Sequence, residues 1–542
     1  MNSNAIHPII YVRGYAMTQG EIEDTVADPY MGFNLGSCKV RQMWDGKVRK
    51  YFFESPLVRL LKQFGYADVY EEGSDRVVGG PETDAERTTV AYKSIVIYRY
   101  YEPSSDDLGT GEKPDMKRFA SGLGRLIVDL RRRIYPNGAA TVISDDERKL
   151  GKLPYDKFRV YLVAHSMGGL VVRAFLQNPE FGGAEARGLV DKVFTYATPH
   201  NGIEISLLGN VPSWLALYGM NTFSRDVAAS LLGLDDDQRD NGAVDIVTNF
   251  DASRIFNLVG TNPGDYKVAA GLSSAAAGEA SDGLVRIVNA TTRARSKTGF
   301  VASPHAFVHR SHSGYFGIVN SEEGYQNLIR FLFGDVRADG RLDIDLLTLP
   351  PAVQKERDAG KNVRASYLIE VAISVRGKPW QLHRRMASEN SAIVRKFDEL
   401  FPSRDAVTKV WQPDRAASPM LFNVFLDADQ SQTRRTLAFA ADICVRATEY
   451  EVDGLLFFKN HFEGGYLFRD MVTLEATPPT TAESTWTITY QFANQRDQEP
   501  KAAPVKEDAG VLTFEIPIEQ PTPPGIKARL HVETSFWNDW QA

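Results

Sequence analysis

The sequence predicts an α/β domain with a mostly parallel, doubly wound sheet, followed by a smaller domain of antiparallel β-structure. Short apolar runs typical of buried strands alternate with amphipathic helical stretches in the first part of the chain. Beyond residue 362 apolar and polar residues alternate in short runs between turn residues, which is typical of a β-sandwich. At 542 residues the chain is too long for one ordinary core. We therefore expect an α/β domain at 1–345, a linker at 346–362 and a β-rich domain at 363–542.

Composition excludes several classes of function. The chain is 43% hydrophobic and 24% charged, with a formal net charge of −7, which argues against a nucleic-acid partner. Overall charge also argues against strong electrostatic adhesion to anionic lipid, although peripheral membrane contact stays open. Cys38 and Cys444 do not suggest a disulfide framework. Without a signal-like N-terminus or an apolar run of about 18 residues, we expect a cytoplasmic protein, with signal-independent secretion as the alternative.

The most informative stretch spans residues 158–176. Its first part is rich in Val, Leu and aromatic residues and predicts a buried strand, and the part from Leu170 onward predicts a helix. Between them lie Ala164, Ser166 and Gly168. A sharp strand-to-helix turn crowds its own backbone, so the residues two before and two after the serine must be small. This pattern predicts a nucleophile elbow, in which the strained Ser166 exposes its hydroxyl near the helix N-terminus.

Residues 164–169, Ala-His-Ser-Met-Gly-Gly, resemble the elbow of bacterial lipases and of the wider α/β-hydrolase lipase group, including its inositol-deacylase-like members. That group often carries a Thr-Pro-His-x-Gly stretch on the next strand, and residues 198–202, Thr-Pro-His-Asn-Gly, are similar. The resemblance extends over residues 6–335. It implies an α/β-hydrolase fold and a serine esterase or lipase that needs no metal or organic cofactor.

The resemblance also implies the residues around the nucleophile. The first core strand of lipases ends in His-Gly before the residue whose backbone N–H forms half of the oxyanion hole. Here that segment is Arg13-Gly14, so Tyr15 takes this role, with Met167 as the second donor. Arg13 departs from the family pattern, but the donor is a backbone amide. An ordinary β-turn at Gly14 is the alternative interpretation.

The triad acid and base lie downstream of the elbow. In the lipase group the acid commonly stands in an Asp-Gly-x-Val loop, which Asp282 matches, and the chain order Ser…Asp…His puts the base beyond it. His305, His309 and His312 qualify. His312 fits best because it lies in a loop before the last helix and is followed by Ser. His309, expected within a strand, is the main alternative.

Substrate contacts are less well defined by the sequence. Residues 203–250 have the apolar character of a lid over an acyl site, and equally that of a helical insertion packed on the core. His165, His200 and Trp214 are the candidates for substrate binding. For His200 the alternative is a loop histidine that is solvated or that caps the backbone.

The expected activity is hydrolysis of carboxylic esters, with lipid or phospholipid acyl esters favoured, through an acyl-enzyme on Ser166. An acyltransferase with the same triad is one alternative. Another is an inert hydrolase fold in a binding or assembly protein that acts through its β domain. The protein partner of that domain is not identified. No metal site is predicted, because no residue spacing matches a metal-ligand pattern.

Overall fold

The computed structural model describes residues 6–14, 19–42, 46–69, 90–107, 109–111, 115–202, 225–264, 280–297, 299–314, 317–375, 378, 380–408, 410–427, 437–453, 459–477 and 486–538. The chain divides into two compact units. The first comprises Met1–His305 and His309–Phe333, and the second comprises Ala306–Val308 and Gly334–Ala542.

The first unit contains six strands of a seven-stranded sheet of order β11-β8-β7-β6-β1-β5-β4, and Ala306–Val308 of the edge strand β11 belong to the second unit. Every neighbouring pair from β4 to β8 is parallel, and β1 lies centrally between β5 and β6. A mostly parallel α/β sheet, as predicted from the buried apolar runs, is therefore confirmed. The remaining strands form the hairpins β2–β3 and β9–β10. The strands are β1 (Ile9–Val12), β2 (Ser37–Gln42), β3 (Val48–Phe53), β4 (Ala67–Asp68), β5 (Ser94–Ile97), β6 (Val160–His165), β7 (Val190–Tyr196), β8 (Ile255–Gly260), β9 (Arg293–Ser296), β10 (Gly299–Ala302) and β11 (His305–Val308).

Helices of the first unit begin and end where their local sequence predicts. Ser55 caps α2 by accepting from the Val58 amide, and Gly65 ends that helix with φ 67°. Asp115 caps α3, whose apolar positions recur at helical spacing and are buried. The helices are α1 (Gln19–Ala27), α2 (Pro56–Phe64), α3 (Met116–Ile134), α4 (Asp145–Lys149), α5 (Met167–Gln177), α6 (Gly183–Gly188), α7 (Arg225–Leu232) and α8 (Glu322–Phe333).

The insertion predicted at 203–250 is described from residue 225 onward. Helix α7 lies in it, and Ala228, Ala229 and Leu232 form a small apolar cluster with Leu234 and Val244. The Asn178 side chain, just after α5, donates to the carbonyls of α7 residues Ser230 and Leu231 (3.4 and 3.2 Å). The described part therefore has the contacts of a packed helical insertion.

The second unit contains two antiparallel sheets that share one hydrophobic core. One has the order β18-β12-β26-β25-β24, and the other the order β14-β13-β19-β21-β22-β23, with β15 and β20 added to β13 and β19. The rings of Phe422 on β18 and Phe439 on β19 lie 5.7 Å apart, across this core. Its elements are β12 (Val336–Leu347), α9 (Pro351–Asp358), β13 (Val363–Val375), β14 (Gln381–Arg385), β15 (Ile393–Lys396), α10 (Phe397–Leu400), β16 (Ser403–Arg404), β17 (Trp411–Gln412), β18 (Met420–Leu426), β19 (Leu437–Asp453), β20 (Lys459–Glu463), β21 (Tyr466–Thr477), β22 (Thr487–Phe492), β23 (Lys501–Ala503), β24 (Val505–Asp508), β25 (Val511–Gln520) and β26 (Ile526–Phe536).

The structure divides the two units at Phe333/Gly334, whereas the sequence pattern predicts the end of the first domain at residue 345. Strand β12 explains the difference, because it pairs with β18 and β26 of the second unit. Apolar and charged residues alternate along β12, so the strand pattern is present in the sequence, but the sheet that it joins is decided by distant partner strands. The predicted linker at 346–362 contains α9, which buries Val353.

Within the described residues, no helix combines the length and the apolar character needed to cross a bilayer. Cys38 and Cys444 are buried free thiols.

Candidate active site

Ser166 stands between β6 and α5, as the elbow pattern predicts. Its backbone has φ 53° and ψ −129°, a conformation that a non-glycine residue adopts only under constraint from its surroundings. The strand before it is fully buried and the helix after it starts at Met167. Ser166 itself stays partly exposed, unlike the residues on either side of it.

Close backbone approach explains the small residues around this turn. A Cβ on Gly168 would lie 2.1 Å from the carbonyl oxygen of Val12, at the end of β1. A Cβ on Gly14 would lie 2.6 Å from Cβ of Ser166. The pattern alone predicts that small residues are needed because the turn crowds its own backbone. In the structure, the backbone at the end of β1 is what leaves no room for a side chain at Gly168. No pattern in one segment could have shown this contact, since it joins two distant parts of the chain.

Three side chains from loops beyond β6, β8 and β11 meet at the carboxyl edge of the sheet. His312 Nε2 lies 2.9 Å from Ser166 Oγ, and His312 Nδ1 lies 3.0 Å from Asp282 Oδ2. A carboxylate only accepts, so Nδ1 carries the proton and Nε2 is free to accept from the serine. Asp282 and His312 are buried, with 1% and 3% of their surface exposed. The three residues that the sequence predicted as a triad thus form one hydrogen-bonded chain.

The Asp282 carboxylate is oriented by its own loop. Oδ1 accepts from the amides of Leu284 and Val285 (3.0 and 2.8 Å), which leaves Oδ2 for the imidazole. The His312 amide also donates to the Asp282 carbonyl at 2.9 Å. Gly260 lies behind this contact, since a Cβ there would lie 2.8 Å from Cβ of Asp282. Asp282 and His312 are therefore joined by one backbone hydrogen bond and one side-chain hydrogen bond.

The base loop is tied to α8 by a buried ion pair that sequence reasoning missed. Arg310 Nε and Nη2 donate to Glu323 Oε2 at 3.0 and 2.7 Å. Both side chains are almost fully enclosed. A buried pair with two hydrogen bonds fixes orientation well, so it limits how far the nearby His312 can move. Neither residue carries a sequence signal that distinguishes it from a surface charge.

His165 was a candidate for substrate binding, but its described contact is with the base. Its Nε2 lies 3.0 Å from the carbonyl oxygen of His312, and the two rings are 4.9 Å apart. Because the carbonyl accepts, Nε2 donates. Burial, together with the nearby charges of His312 and Arg13, holds the pKa of His165 well below its usual value. His165 is therefore neutral at pH 7 and orients the loop that carries His312.

The other predicted contact residues have different surroundings. His200 is fully buried, so it is not a solvated loop histidine, and its Nε2 lies 3.2 Å from the side-chain oxygen Oγ1 of Thr195 on β7. Burial and the charge of Arg173 lower the pKa of His200 well below its usual value. Met167 begins α5, where its amide is among those at the helix N-terminus. Tyr15 and Trp214 lie outside the described residues.

The two alternative histidines have no described contact with Ser166. His309 follows the end of β11 rather than lying within it, and is exposed. Its Nδ1 lies 3.5 Å from Thr261 Oγ1. His305 Nδ1 lies 2.9 Å from the carbonyl oxygen of Ser303. Of the three, His312 is the one bonded to Ser166.

Two groups of possible metal ligands occur among the described residues of the second unit. Asp343, Glu515 and His531 form one group, but Arg341 and Arg529 already neutralise its carboxylates. The second group lies on β19 and β20 and is largely exposed. Sequence spacing missed both because their members come from different strands. The second consists of Glu449, Glu451 and His461.

Comparison with known proteins adds no assignment: no model of a protein family matches the chain, and no curated protein matches its sequence. What the chain does must be inferred from its residues and their geometry.

Proposed function

We propose that the first unit has an α/β-hydrolase fold and that the protein hydrolyses carboxylic esters through a Ser166–His312–Asp282 triad. The observation that carries the proposal is the hydrogen-bonded chain from Asp282 Oδ2 through the imidazole to Ser166 Oγ. It ends on a serine with φ 53° at a strand-to-helix turn. A structural serine does not need that strain, whereas a nucleophile at an elbow does.

Each residue has a defined part in the proposed reaction. His312 Nε2 takes the proton from Ser166 Oγ as the oxygen attacks the acyl carbonyl. Asp282 keeps the imidazole in the Nδ1–H tautomer and stabilises the imidazolium that forms. His312 then gives the proton to the departing alcohol. Water repeats the sequence on the acyl-enzyme, which releases the acid and restores the serine.

Charge on the tetrahedral oxygen needs hydrogen-bond donors. The amide of Met167 at the start of α5 is one donor in the proposal, and helix polarity favours negative charge at that end. The amide of Tyr15 is the second, by resemblance to lipases. Gly14, its immediate neighbour, lies against Ser166, which brings this segment to the reacting serine. Each such donor is worth about 3 kcal/mol of transition-state stabilisation.

The substrate class proposed is a lipid or phospholipid acyl ester. The resemblance of the elbow and of residues 198–202 to lipases supports it, as does the apolar character of the insertion at 203–250. Neither names the head group or the acyl length. An ester rather than an amide is proposed on the same resemblance.

Covalent labelling tests the proposal most directly. Incubated with a fluorophosphonate, the wild-type chain should be labelled at Ser166, and Ser166→Ala should not be labelled. His531→Ala is a matched control, because that histidine also contacts carboxylates but lies in the second unit. A chain that stays unlabelled while folded would contradict the proposal and favour the inert-fold alternative.

Turnover of p-nitrophenyl esters of increasing acyl length then defines the substrate. Added alcohol acceptors separate hydrolysis from acyl transfer. A free acid as main product supports the proposal. Transfer to the alcohol in preference to water would replace the hydrolase with the acyltransferase.

A further inference from the structure

The β2–β3 hairpin arises beside the catalytic edge of the first unit. The loop that leads into it contacts β1, since Phe33 packs 4.6 Å from Tyr11 and Arg13 Nη1 donates to the Met31 carbonyl. Asn320, beyond the base loop, donates to the Gly32 carbonyl at 3.3 Å. The hairpin root, residues 26–33, therefore contacts β1, whose following Gly14 lies against Ser166, and the segment after His312.

This root is held firmly by another buried cation. Arg99 donates through Nη1 to the carbonyls of Asp28 and Pro29 (2.9 and 3.1 Å) and through Nη2 to that of Val26 (2.5 Å). Asp28 in turn accepts from the amides of Tyr30 and Gly32 (3.0 and 2.8 Å). A fixed root means that the hairpin projects at a defined place relative to the active site.

Strand β3 of the hairpin carries apolar side chains into solvent. Val48 is 61% exposed and Phe52 is 75% exposed. Their spacing by four residues places them on the same face of β3, with the exposed Lys50 between them. A single exposed apolar residue needs no explanation, but two on one strand beside a basic residue form a surface suited to an amphipathic partner.

The hairpin is also strongly basic in a chain of net charge −7. Between residues 37 and 53 there are five basic residues against one acidic residue. Arg49 and Lys50 are exposed, and neither forms an ion pair with any residue that the structure describes. The local charge is thus opposite to that of the whole chain. The basic residues are Lys39, Arg41, Lys47, Arg49 and Lys50.

We propose that the β2–β3 hairpin docks on an anionic lipid surface and brings the catalytic edge of the first unit to it. Basic residues near a membrane are attracted by its negative surface potential, and exposed apolar side chains enter the boundary between headgroups and acyl chains. A lysine between two apolar residues can extend its ammonium to the headgroups. Nucleic acid is the less suitable polyanion, because the whole chain carries a net charge of −7 and the exposed aliphatic Val48 offers no ring for a base to stack on. The binding of the hairpin to lipid does not depend on the proposed function. Only the benefit of bringing the catalytic edge to the lipid rests on it.

Vesicle sedimentation tests docking without turnover. The full chain carrying Ser166→Ala should co-sediment with vesicles of phosphatidylcholine and phosphatidylglycerol, and poorly with phosphatidylcholine alone. Neutralising Arg49→Gln with Lys50→Gln should weaken the partition by about thirtyfold, since each basic residue near the surface contributes about fivefold. Higher salt should weaken it as well. The matched control, Lys501→Gln with Lys506→Gln, removes two exposed basic residues of the second unit and should change nothing.

A second pair of variants tests the apolar contribution. Val48→Ser should weaken vesicle binding severalfold, whereas Val142→Ser, at a valine outside the hairpin that is still more exposed (87% against 61%), should not. Equal sedimentation of all variants, or tighter binding to duplex DNA than to the vesicles, would overturn the proposal. Arg49→Gln with Lys50→Gln in the wild-type background should keep its activity on p-nitrophenyl acetate. Vesicle binding by a chain whose Ser166 is never labelled would refute the proposed function alone.

Discussion

Both units contain a histidine whose two ring nitrogens face hydrogen-bond partners, and only one of these histidines lies in a candidate catalytic site. In the first unit, His312 has Asp282 at 3.0 Å on one nitrogen and Ser166 at 2.9 Å on the other. In the second, His531 has Glu515 at 3.3 Å and Glu533 at 3.1 Å. The distances are nearly the same, so contact with a carboxylate does not distinguish the two.

The surroundings distinguish them. Asp282 is enclosed and its carboxylate is held by two backbone amides, whereas Glu515 is half-exposed and shared with Arg529. His312 faces a strained serine at the carboxyl edge of a parallel sheet, where polar loops converge. His531 lies within β26, in a ladder of alternating charge. We therefore infer a catalytic role from a histidine–carboxylate contact only when the histidine also faces a third group, such as a serine with a strained backbone.

The largest expected difference between the two histidines is in turnover. Ser166→Ala should lower kcat by about 10⁶ and Asp282→Asn by about 10⁴, because the first removes the nucleophile and the second favours the wrong tautomer. His531→Ala should keep the wild-type rate within experimental error. Ester hydrolysis under saturating substrate measures all three. Equal losses for Asp282→Asn and His531→Ala would erase the distinction drawn between the two histidines.

Local chemistry made some of these residues predictable and others not. The elbow, α2 and α3 follow from short-range rules, such as small residues around Ser166 and the Ser55 and Gly65 caps. The meeting of Asp282 with His312 followed only from chain order and family resemblance. The Arg310–Glu323 pair and the contact of Gly168 with Val12 depend on segments brought together by folding, and no local pattern encodes them.

The second unit was harder to predict for a related reason. Strand β12 pairs with β26, nearly two hundred residues later. Apolar and charged residues alternate along β12, which predicts a strand but not its partners. The pairs Arg337–Asp339 and Arg341–Asp343 form along the strand itself, so they do not indicate which sheet it joins.

Ion pairs in the two units should differ in their contribution to stability. Glu323→Gln leaves the enclosed Arg310 without its counter-charge, and should destabilise the first unit by about 3 kcal/mol or more. Glu515→Gln removes a half-exposed partner of Arg529, and should cost at most about 1 kcal/mol. Urea unfolding of both variants measures the difference. Equal shifts of the urea midpoint in the two variants would show that burial does not determine how much each ion pair contributes to stability.

Mild acid should weaken the first unit through its buried histidines. Burial, with the charges of Lys192, Arg159 and Arg254, lowers the pKa of His7 to about 3, and burial lowers those of His165 and His200. Below pH 6.5 the unfolded chain binds protons that the folded unit does not, so stability falls as pH decreases. His7 alone should cost about 2 kcal/mol at pH 5.

Limited proteolysis at pH 7 and pH 5, with the first cleavage sites mapped by mass spectrometry, measures this loss. Cleavage at pH 5 should begin within residues 6–333. In the second unit, Glu515 responds only at lower pH. Burial would raise the pKa of Glu515, but its bonds to Arg529 and His531 hold it below the usual value, so that contribution is lost only in stronger acid. Replacing His7 with Asn should flatten the pH dependence, and an unchanged dependence in that variant would rule out His7 as a source.

The smallest effect expected concerns the histidine that orients the base. His165→Leu removes the bond from Nε2 to the His312 carbonyl, and should lower kcat by about tenfold with little change in KM, because the loop positions the imidazole less well. His165→Gln can place an amide N–H where Nε2 was, and should recover most of the rate. A residue that only filled space would respond in the opposite order, since Leu preserves apolar packing. A change confined to KM would instead return His165 to the role of a substrate contact.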